Sequence, residues 1–322
     1  MSGPSPSAVL SLLRSQLTFH PPIPTSSFTN QTVIVTGANT GLGREAAKHI
    51  VQLGAERVIL AVRTTSKGEA ARKYIAQETR REDGVEVWEL DLSSFASVRA
   101  FGDRAQQLAR LDAVIENAGM WATEHQTVQG HEATITVNVL STLLLAHLLL
   151  PKLQETGRSH PETTPRLTLV TSALHKFATL NARKSDGTII EALDKPTQDW
   201  NMRYNDSKLL LVLYGQKLAA TAVGADVCIT FLNPGYCLSD LKPARTVGTK
   251  AFEKMLARTT DEGAWTLVDA VAAEKAAGRH GKYLDDMAVK RPAPWIETTD
   301  GQETAERVWT EINAVLGIAE RG

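Results

Sequence analysis

Five tyrosines occur in the 322-residue chain, and only Tyr204, in Tyr204-Asn205-Asp206-Ser207-Lys208, has a lysine four positions on. Residues i and i+4 share a helix face, so the Lys208 ammonium can lie beside the Tyr204 phenol. A phenol ordinarily titrates near about 10, and a neighbouring cation lowers that value. Tyr204 then becomes a usable acid and base near neutrality. Ser172 closes the apolar run Leu169-Val170-Thr171. Its hydroxyl can hold a substrate carbonyl oxygen beside the phenol, or it can cap the next turn. Asn138 interrupts an apolar stretch, Thr136-Val137-Asn138-Val139. A buried amide needs partners: it either bridges a water to Lys208 or satisfies backbone groups.

A second constellation is Thr36-Gly37-Ala38-Asn39-Thr40-Gly41-Leu42-Gly43. Glycines let the backbone turn tightly and approach a pyrophosphate, and the helix that follows offers unpaired N–H groups. No Gly-Lys-Ser/Thr follows, so this is not a Walker loop. Arg63 stands 20 residues beyond Gly43, at the end of the second apolar run. A carboxylate there would accept from a ribose 2′-OH, whereas a guanidinium attracts a 2′-phosphate. Arg63, assisted by Lys67 and flanked by Arg44, therefore points to NADP(H); a solvated strand-end charge is the alternative.

The elements that must bring these groups together are legible as alternating patterns. Thr32–Thr36, Arg57–Val62, Val85–Leu90, Leu111–Ile115, Arg166–Thr171 and Asp226–Leu232 read as strands. Helical patterns at Leu42–Leu53, Lys67–Thr79, Phe95–Ala109, Glu132–Glu155 and Asn205–Val223 separate them. Continuous apolar strands between helices indicate a parallel sheet covered on both faces, doubly wound by right-handed crossovers. The α/β reading is a single Rossmann-fold domain over 30–322, preceded by an N-terminal extension over 1–29. Two irregular stretches, about 173–203 and 236–260, are predicted to shape the substrate end. Trp121, Trp200 and Tyr236 lie near those loops; each lines an apolar pocket or anchors a loop.

Composition excludes other classes. Lysine plus arginine number 35 against 36 acids, so no basic field for nucleic acid is present. Two cysteines, Cys228 and Cys237, cannot make a disulfide framework or a four-ligand zinc site. No metal is expected, and the cytoplasm is the expected compartment. The stretch Val9–Leu17, broken by Arg14, reads as a short amphipathic helix packed on the domain, with reversible membrane association as the alternative. Val139–Leu150 is too short for a membrane span and reads as a buried helix. No GxSxG elbow occurs, and Ile135 stands where a metalloprotease helix would place its second histidine.

The ordered set TGANTGLG, Asn117-Ala118-Gly119, Asn138, Ser172, Tyr204-x3-Lys208 and Pro234-Gly235 resembles the short-chain dehydrogenase/reductases over roughly residues 30 to 290. The resemblance implies a sheet of about seven strands and hydride transfer between NAD(P)H and a carbonyl or alcohol carbon. It implies that Tyr204 is the acid/base, Lys208 its pKa-lowering, ribose-binding partner, Ser172 the carbonyl-orienting hydroxyl and Asn138 the holder of a relay water. It further implies an adenine contact at Asp91-Leu92 and a nicotinamide carboxamide contact at Ser239. The wording is similar to retinol-dehydrogenase-like members from filamentous fungi. Two departures stand out: Glu116 replaces a frequent Asn before Asn117, and 32 residues separate Ser172 from Tyr204.

The expected activity is NADPH-dependent reduction of a ketone or aldehyde, in fungal secondary metabolism. Oxidation of a lipid or retinoid-type alcohol with NADP+ is the alternative, and a non-catalytic dinucleotide-binding regulator is the reading from another class. The family often pairs the Glu132–Glu155 and Asn205–Val223 helices into a homodimer; the alternative is a monomer with the N-terminal extension over them.

Overall fold

The computed structural model describes residues 6–197, 199–221, 226–238, 241 and 256–319. Its centre is an eight-stranded sheet: β1 (Thr32–Thr36), β2 (Arg57–Val62), β3 (Val85–Glu89), β4 (Ala113–Glu116), β5 (Arg166–Val170), β6 (Cys228–Asn233), β7 (Lys282–Asp285) and β8 (Ala288–Lys290). The spatial order is β8-β7-β6-β5-β4-β1-β2-β3. Seven strands are parallel, and β8 runs antiparallel to β7 at the edge. The Rossmann-type α/β expectation holds, with one exposed antiparallel strand beyond the expected seven.

Strand side chains alternate between two cores. Ile34 and Val114 face a cluster completed by helices α4 (Phe95–Gln106), α5 (Ala133–Ser159), α7 (Trp200–Ala220) and α9 (Thr299–Leu316). Val33, Val35 and Ile115 face a second, closed by α2 (Gly41–Gln52), α3 (Thr65–Thr79) and α8 (Thr260–Ala270). Burial on both faces explains why these strands are apolar throughout. Helix α5 is long and apolar enough to cross a membrane, but 83% of its apolar window is buried inside the protein.

The segment 173–203, expected to be irregular, is partly regular: it folds as two short 3-10 turns, helix α6 (Ile189–Asp194), capped by Thr188 and Glu191, and from Trp200 the start of α7. Ile189, Ile190 and Leu193 join the core, and the Ile189 N–H donates to Glu311 of α9 at 2.6 Å. Helix α9, not the N-terminal extension, lies against α7: Tyr214 donates to Asn313 at 2.5 Å and its ring packs on Trp309. His147 of α5, read as a packed or interface histidine, is packed here, its Nε2 2.7 Å from the Tyr214 hydroxyl; burial pushes its pKa down to about 4.

Candidate active site

Order reverses at β1, which has β2 on one side and β4 on the other. Ligands of open α/β sheets bind beyond the strand C-termini at such a switch point. A cleft of about 600 Å³ opens there. It is lined by Gly37, Asn39, Thr40, Gly41 and Leu42 from the glycine turn, and by Arg63, Asp91, Leu92, Asn117, Ala118 and Gly119 from the following strand ends. Tyr204, Lys208 and Pro234 line it from the other side.

Two positions of the turn, Gly37 and Gly43, have no room for a side chain. Gly37 sits at φ +66°, and a Cβ on it would lie 3.0 Å from the Ala118 Cα. A Cβ on Gly43 would lie 2.6 Å from both Asn117 Nδ2 and the Gly37 carbonyl oxygen. Asn117 explains that closeness: its Nδ2 donates to the Thr36 carbonyl at 2.9 Å, while the Ala118 N–H donates to Thr36 Oγ1 at 2.9 Å. The first residue of α2, Gly41, meets the cleft without a side chain, and Thr40, its N-cap, makes no side-chain cap bond. A helix N-terminus so presented suits a pyrophosphate. Asp91 is braced by Ser93, whose N–H and hydroxyl donate to Oδ1 at 2.9 and 2.6 Å.

Arg63 is exposed on the cleft rim, and Lys67 is exposed nearby without lining the cleft. Among the described residues neither enters an ion pair. Arg44 is committed elsewhere: it pairs with Glu45 at 2.7 Å and lies 4.0 Å over the Tyr74 ring. The cationic rim is thus Arg63, with Lys67 beside it.

Across the cleft, Tyr204 lies in the second turn of α7 and is 5% exposed. Ser172 Oγ caps the next turn, accepting from the Leu174 N–H at 3.2 Å. Burial outweighs the lowering influence of the Ser172 side chain and holds the Tyr204 phenol above its ordinary pKa. Lys208 Nζ donates to the Val170 carbonyl at 2.9 Å and stands 5.7 Å from the Tyr204 ring centre. In the free protein the net shift of the phenol is upward, with burial as its largest cause. Burial also pushes Lys208 itself down to about 8.

Asn138 belongs to a π-helical turn, Thr136–Ser141, inside α5. Such turns widen a helix locally and recur at functional sites. Asn138 satisfies backbone: Oδ1 accepts from Met120 N–H at 2.8 Å, and Nδ2 donates to Met120 O at 2.9 Å and Ser207 Oγ at 3.1 Å. A Cβ on Gly119 would lie 3.1 Å from Asn138 Oδ1 and 3.7 Å from Lys208 Nζ, so both groups sit beneath that glycine.

A family model described as short chain dehydrogenase matches residues 31–160. A short chain dehydrogenase/reductase of Cryptosporiopsis sp. is 40% identical, over 97% of this chain and 98% of its own. The chain belongs to the short-chain dehydrogenase/reductases. A short-chain dehydrogenase of Penicillium roqueforti is 36% identical over 96% of this chain and 83% of its own. Neither relative bears a retinol dehydrogenase name, so they support the fungal half of the expected resemblance. A solved protein from Mycobacterium paratuberculosis superposes with a TM-score of 0.63 at 25% identity, covering 91% of this chain and 96% of its own. A short chain dehydrogenase from Shigella flexneri, complexed with NADP, has a TM-score of 0.60 at 20% identity, covering 82% of this chain and 100% of its own, which shows the shared fold. As a short-chain dehydrogenase/reductase, the chain is an oxidoreductase of a family that uses NAD(P)(H).

Within this short-chain dehydrogenase/reductase, other predicted positions are less direct. Trp121 and Tyr236 are not lining residues of the cleft: Trp121 stacks on Tyr204, and the Tyr236 backbone is held by Gln16. Gly235, at φ +85°, lies against the Arg258 guanidinium. Ser239 and most of 236–260 lie outside the described residues. The segment 173–203 contributes no lining residue. Glu116 is buried with neither oxygen paired, and burial alone lifts its pKa well above the carboxylate range. Cys237 is a half-buried thiol whose pKa burial pushes up to about 12, which disfavours the nucleophilic thiolate.

One positioning residue escaped the sequence. His175 Nδ1 lies 2.7 Å from the Ser172 carbonyl oxygen, and its Nε2 accepts from the Ala293 N–H at 3.0 Å. Burial pushes its pKa down to about 3, so the ring is neutral, with Nδ1 donating. It ties the residue bearing the Ser172 hydroxyl to the chain after β8.

Proposed function

We propose that the protein is an NADPH-dependent carbonyl reductase that converts a ketone or aldehyde to an alcohol. One observation carries the reading: Tyr204 and Lys208 share one cleft with the glycine turn and with Arg63, which enters no ion pair among the described residues. The glycine turn and α2 N-terminus would hold the pyrophosphate, Asp91 the adenine, and Arg63 with Lys67 the 2′-phosphate. When bound, the nicotinamide supplies the hydride. Ser172 and Tyr204 orient the carbonyl oxygen, and Tyr204 gives it a proton. Lys208 holds ribose hydroxyls and favours the phenolate that remains, and water near Asn138 restores the proton.

The fungal relatives support a tailoring step in secondary metabolism. The cytoplasm as its compartment rests on the chain's two cysteines alone. Oxidation of a lipid or retinoid-type alcohol with NADP+ would use the same groups in reverse. The complete set Asn138, Ser172, Tyr204 and Lys208 argues against a non-catalytic regulator. The test is NADPH oxidation, followed at its absorbance band, across quinones, diketones and aldehydes. Turnover of at least one class, with NADPH preferred over NADH, is expected. Tight NADPH binding with no turnover of any of them would favour the regulator.

A further inference from the structure

Helix α1 (Pro6–Thr18) docks through its polar side. Gln16 Nε2 donates to the carbonyls of Tyr236 and Leu256 at 3.0 and 2.8 Å, and its Oε1 accepts from the Tyr236 N–H at 2.9 Å. Ser15 Oγ donates to Asp286 at 2.6 Å, and Arg258 donates to the carbonyls of Ser15 and Phe19. Counting from Val9, Leu13, Leu17 and Leu10 lie at about 40°, 80° and 100°; Ser15, at about 240°, lies opposite that arc, Gln16, at about 340°, borders it beside Val9, and the half-buried Leu12, at about 300°, lies between those two docked residues. The aliphatic arc is in the open: Leu10 is 68% exposed, Leu17 59%, Leu13 39% and Val9 38%. Ile23, just past the helix, is 67% exposed. A helix held by core burial would turn its leucines inward. This one turns in only Leu12 beside its polar bonds and presents Leu10, Leu13 and Leu17 outward, as a surface with a partner does.

Charge says which partner. Arg14 borders the arc at about 140° and is exposed. Among the described residues it makes no ion pair. The first 44 residues hold no Asp or Glu, although the chain has 36 acids in 322 residues, about one in nine. We propose that α1 seats the protein on an anionic phospholipid surface, its leucines entering the headgroup–acyl boundary and Arg14 meeting lipid phosphates. A second copy would set one cationic rim against another, whereas anionic lipid neutralises it. Gln16 and Arg258 tie the seated helix to Tyr236 and Pro234, and Pro234 lines the cleft, so the surface lies beside the site.

The test is sedimentation of the full chain with phosphatidylcholine vesicles made with and without phosphatidylserine. The expected result is partition onto the serine-containing vesicles, weakened by salt. The combined variant Leu10→Ser, Leu13→Ser, Leu17→Ser should lose at least about tenfold in partition. Arg14→Glu should weaken it several-fold, and both variants should keep NADPH binding, which reports an intact fold. Three results would overturn the proposal: native protein that stays in the supernatant, a triple variant that partitions like native, or equal partition onto phosphatidylcholine alone. A native dimer that ignores vesicles and becomes a monomer in the triple variant would overturn it too, assigning the arc to a second copy.

Discussion

The indole of Trp121 lies parallel to the phenol ring of Tyr204, with centroids 4.1 Å apart and planes within 5°. One face of the proposed acid/base is therefore sealed by an apolar plate, which contributes to the burial that holds the phenol's pKa up. Offset aromatic pairs are worth about 0.5–1.5 kcal/mol beyond the area they bury. Trp121→Ala should admit water, lower the phenol pKa and reduce kcat/KM for the carbonyl about tenfold. Trp121→Phe keeps a ring there and should recover most of the loss. Paired pH–rate profiles check this; an unshifted profile in Trp121→Ala would separate the stack from the chemistry.

Tyr204→Phe keeps that stack and removes only the hydroxyl. Losing a positioned general acid costs about 10²- to 10⁴-fold in turnover. NADPH affinity, measured by nicotinamide fluorescence, should change less than about twofold, because the glycine turn and Arg63 are untouched. Near-native turnover would remove Tyr204 from the mechanism.

Lys208 gives the pH dependence its sign. Burial lowers its pKa to about 8, so in the free protein the ammonium is present below that value and lost above it. The charged form is the one that donates to ribose and favours a phenolate. The kcat/KM for NADPH, which reports free-enzyme ionisations, should therefore fall as pH rises through about 8. A guanidinium stays charged over that range, so Lys208→Arg should shift the alkaline limb upward, whatever its absolute rate. An unshifted limb would assign the ionisation to another group.

The parts of the molecule that were legible are those whose signal is local. Thr32–Thr36 reads as a strand because all five residues are buried. The glycine turn is legible because backbone approach excludes side chains. Helix α7 starts at Trp200, not Asn205, because Asp199 caps it, accepting from the Met202 N–H at 2.8 Å. The insert 173–203 reads as irregular because it has no stripe of its own; its Ile189 and Leu193 are buried in a core shared with α9. Even there, Thr188 and Glu191 formed a readable capping box. His175 left no signal, since it joins the Ser172 carbonyl to an N–H 118 residues away. Strand β8 is three exposed residues paired only to β7.

Arg63 decides between cofactors by charge. It is exposed on the cleft rim, and no acid among the lining residues besides Asp91 competes for it. Arg63→Glu puts a carboxylate where the 2′-phosphate would sit and should raise the KM for NADPH at least about tenfold, while NADH improves or holds. Because the rim is open, the NADPH preference of the native protein should also weaken in high salt. Equal NADPH-to-NADH ratios in native and variant would place the discrimination elsewhere.

Gln16 couples the N-terminal helix to the cofactor cleft. Its carboxamide makes three hydrogen bonds to the main chain of Tyr236 and Leu256, next to Pro234 and Gly235. Arg258 tightens the same corner, its Nη1 donating to the Pro234 carbonyl at 3.4 Å and its Nη2 to Asp286 at 3.0 Å. Gln16→Leu preserves approximate volume and removes the partner of the Leu256 carbonyl and the Tyr236 N–H, while the Tyr236 carbonyl keeps the Arg258 N–H at 2.9 Å; the cost is about 1–3 kcal/mol. If the corner positions the nicotinamide side, KM for NADPH should rise about tenfold with the glycine turn unaltered. Gln16→Glu restores only the acceptor for the Tyr236 N–H and sets a carboxylate against two carbonyls, so it should rescue little. A purely structural role predicts a lower Tm with unchanged NADPH affinity. Measuring both on the same samples separates a positioning residue from a fastening.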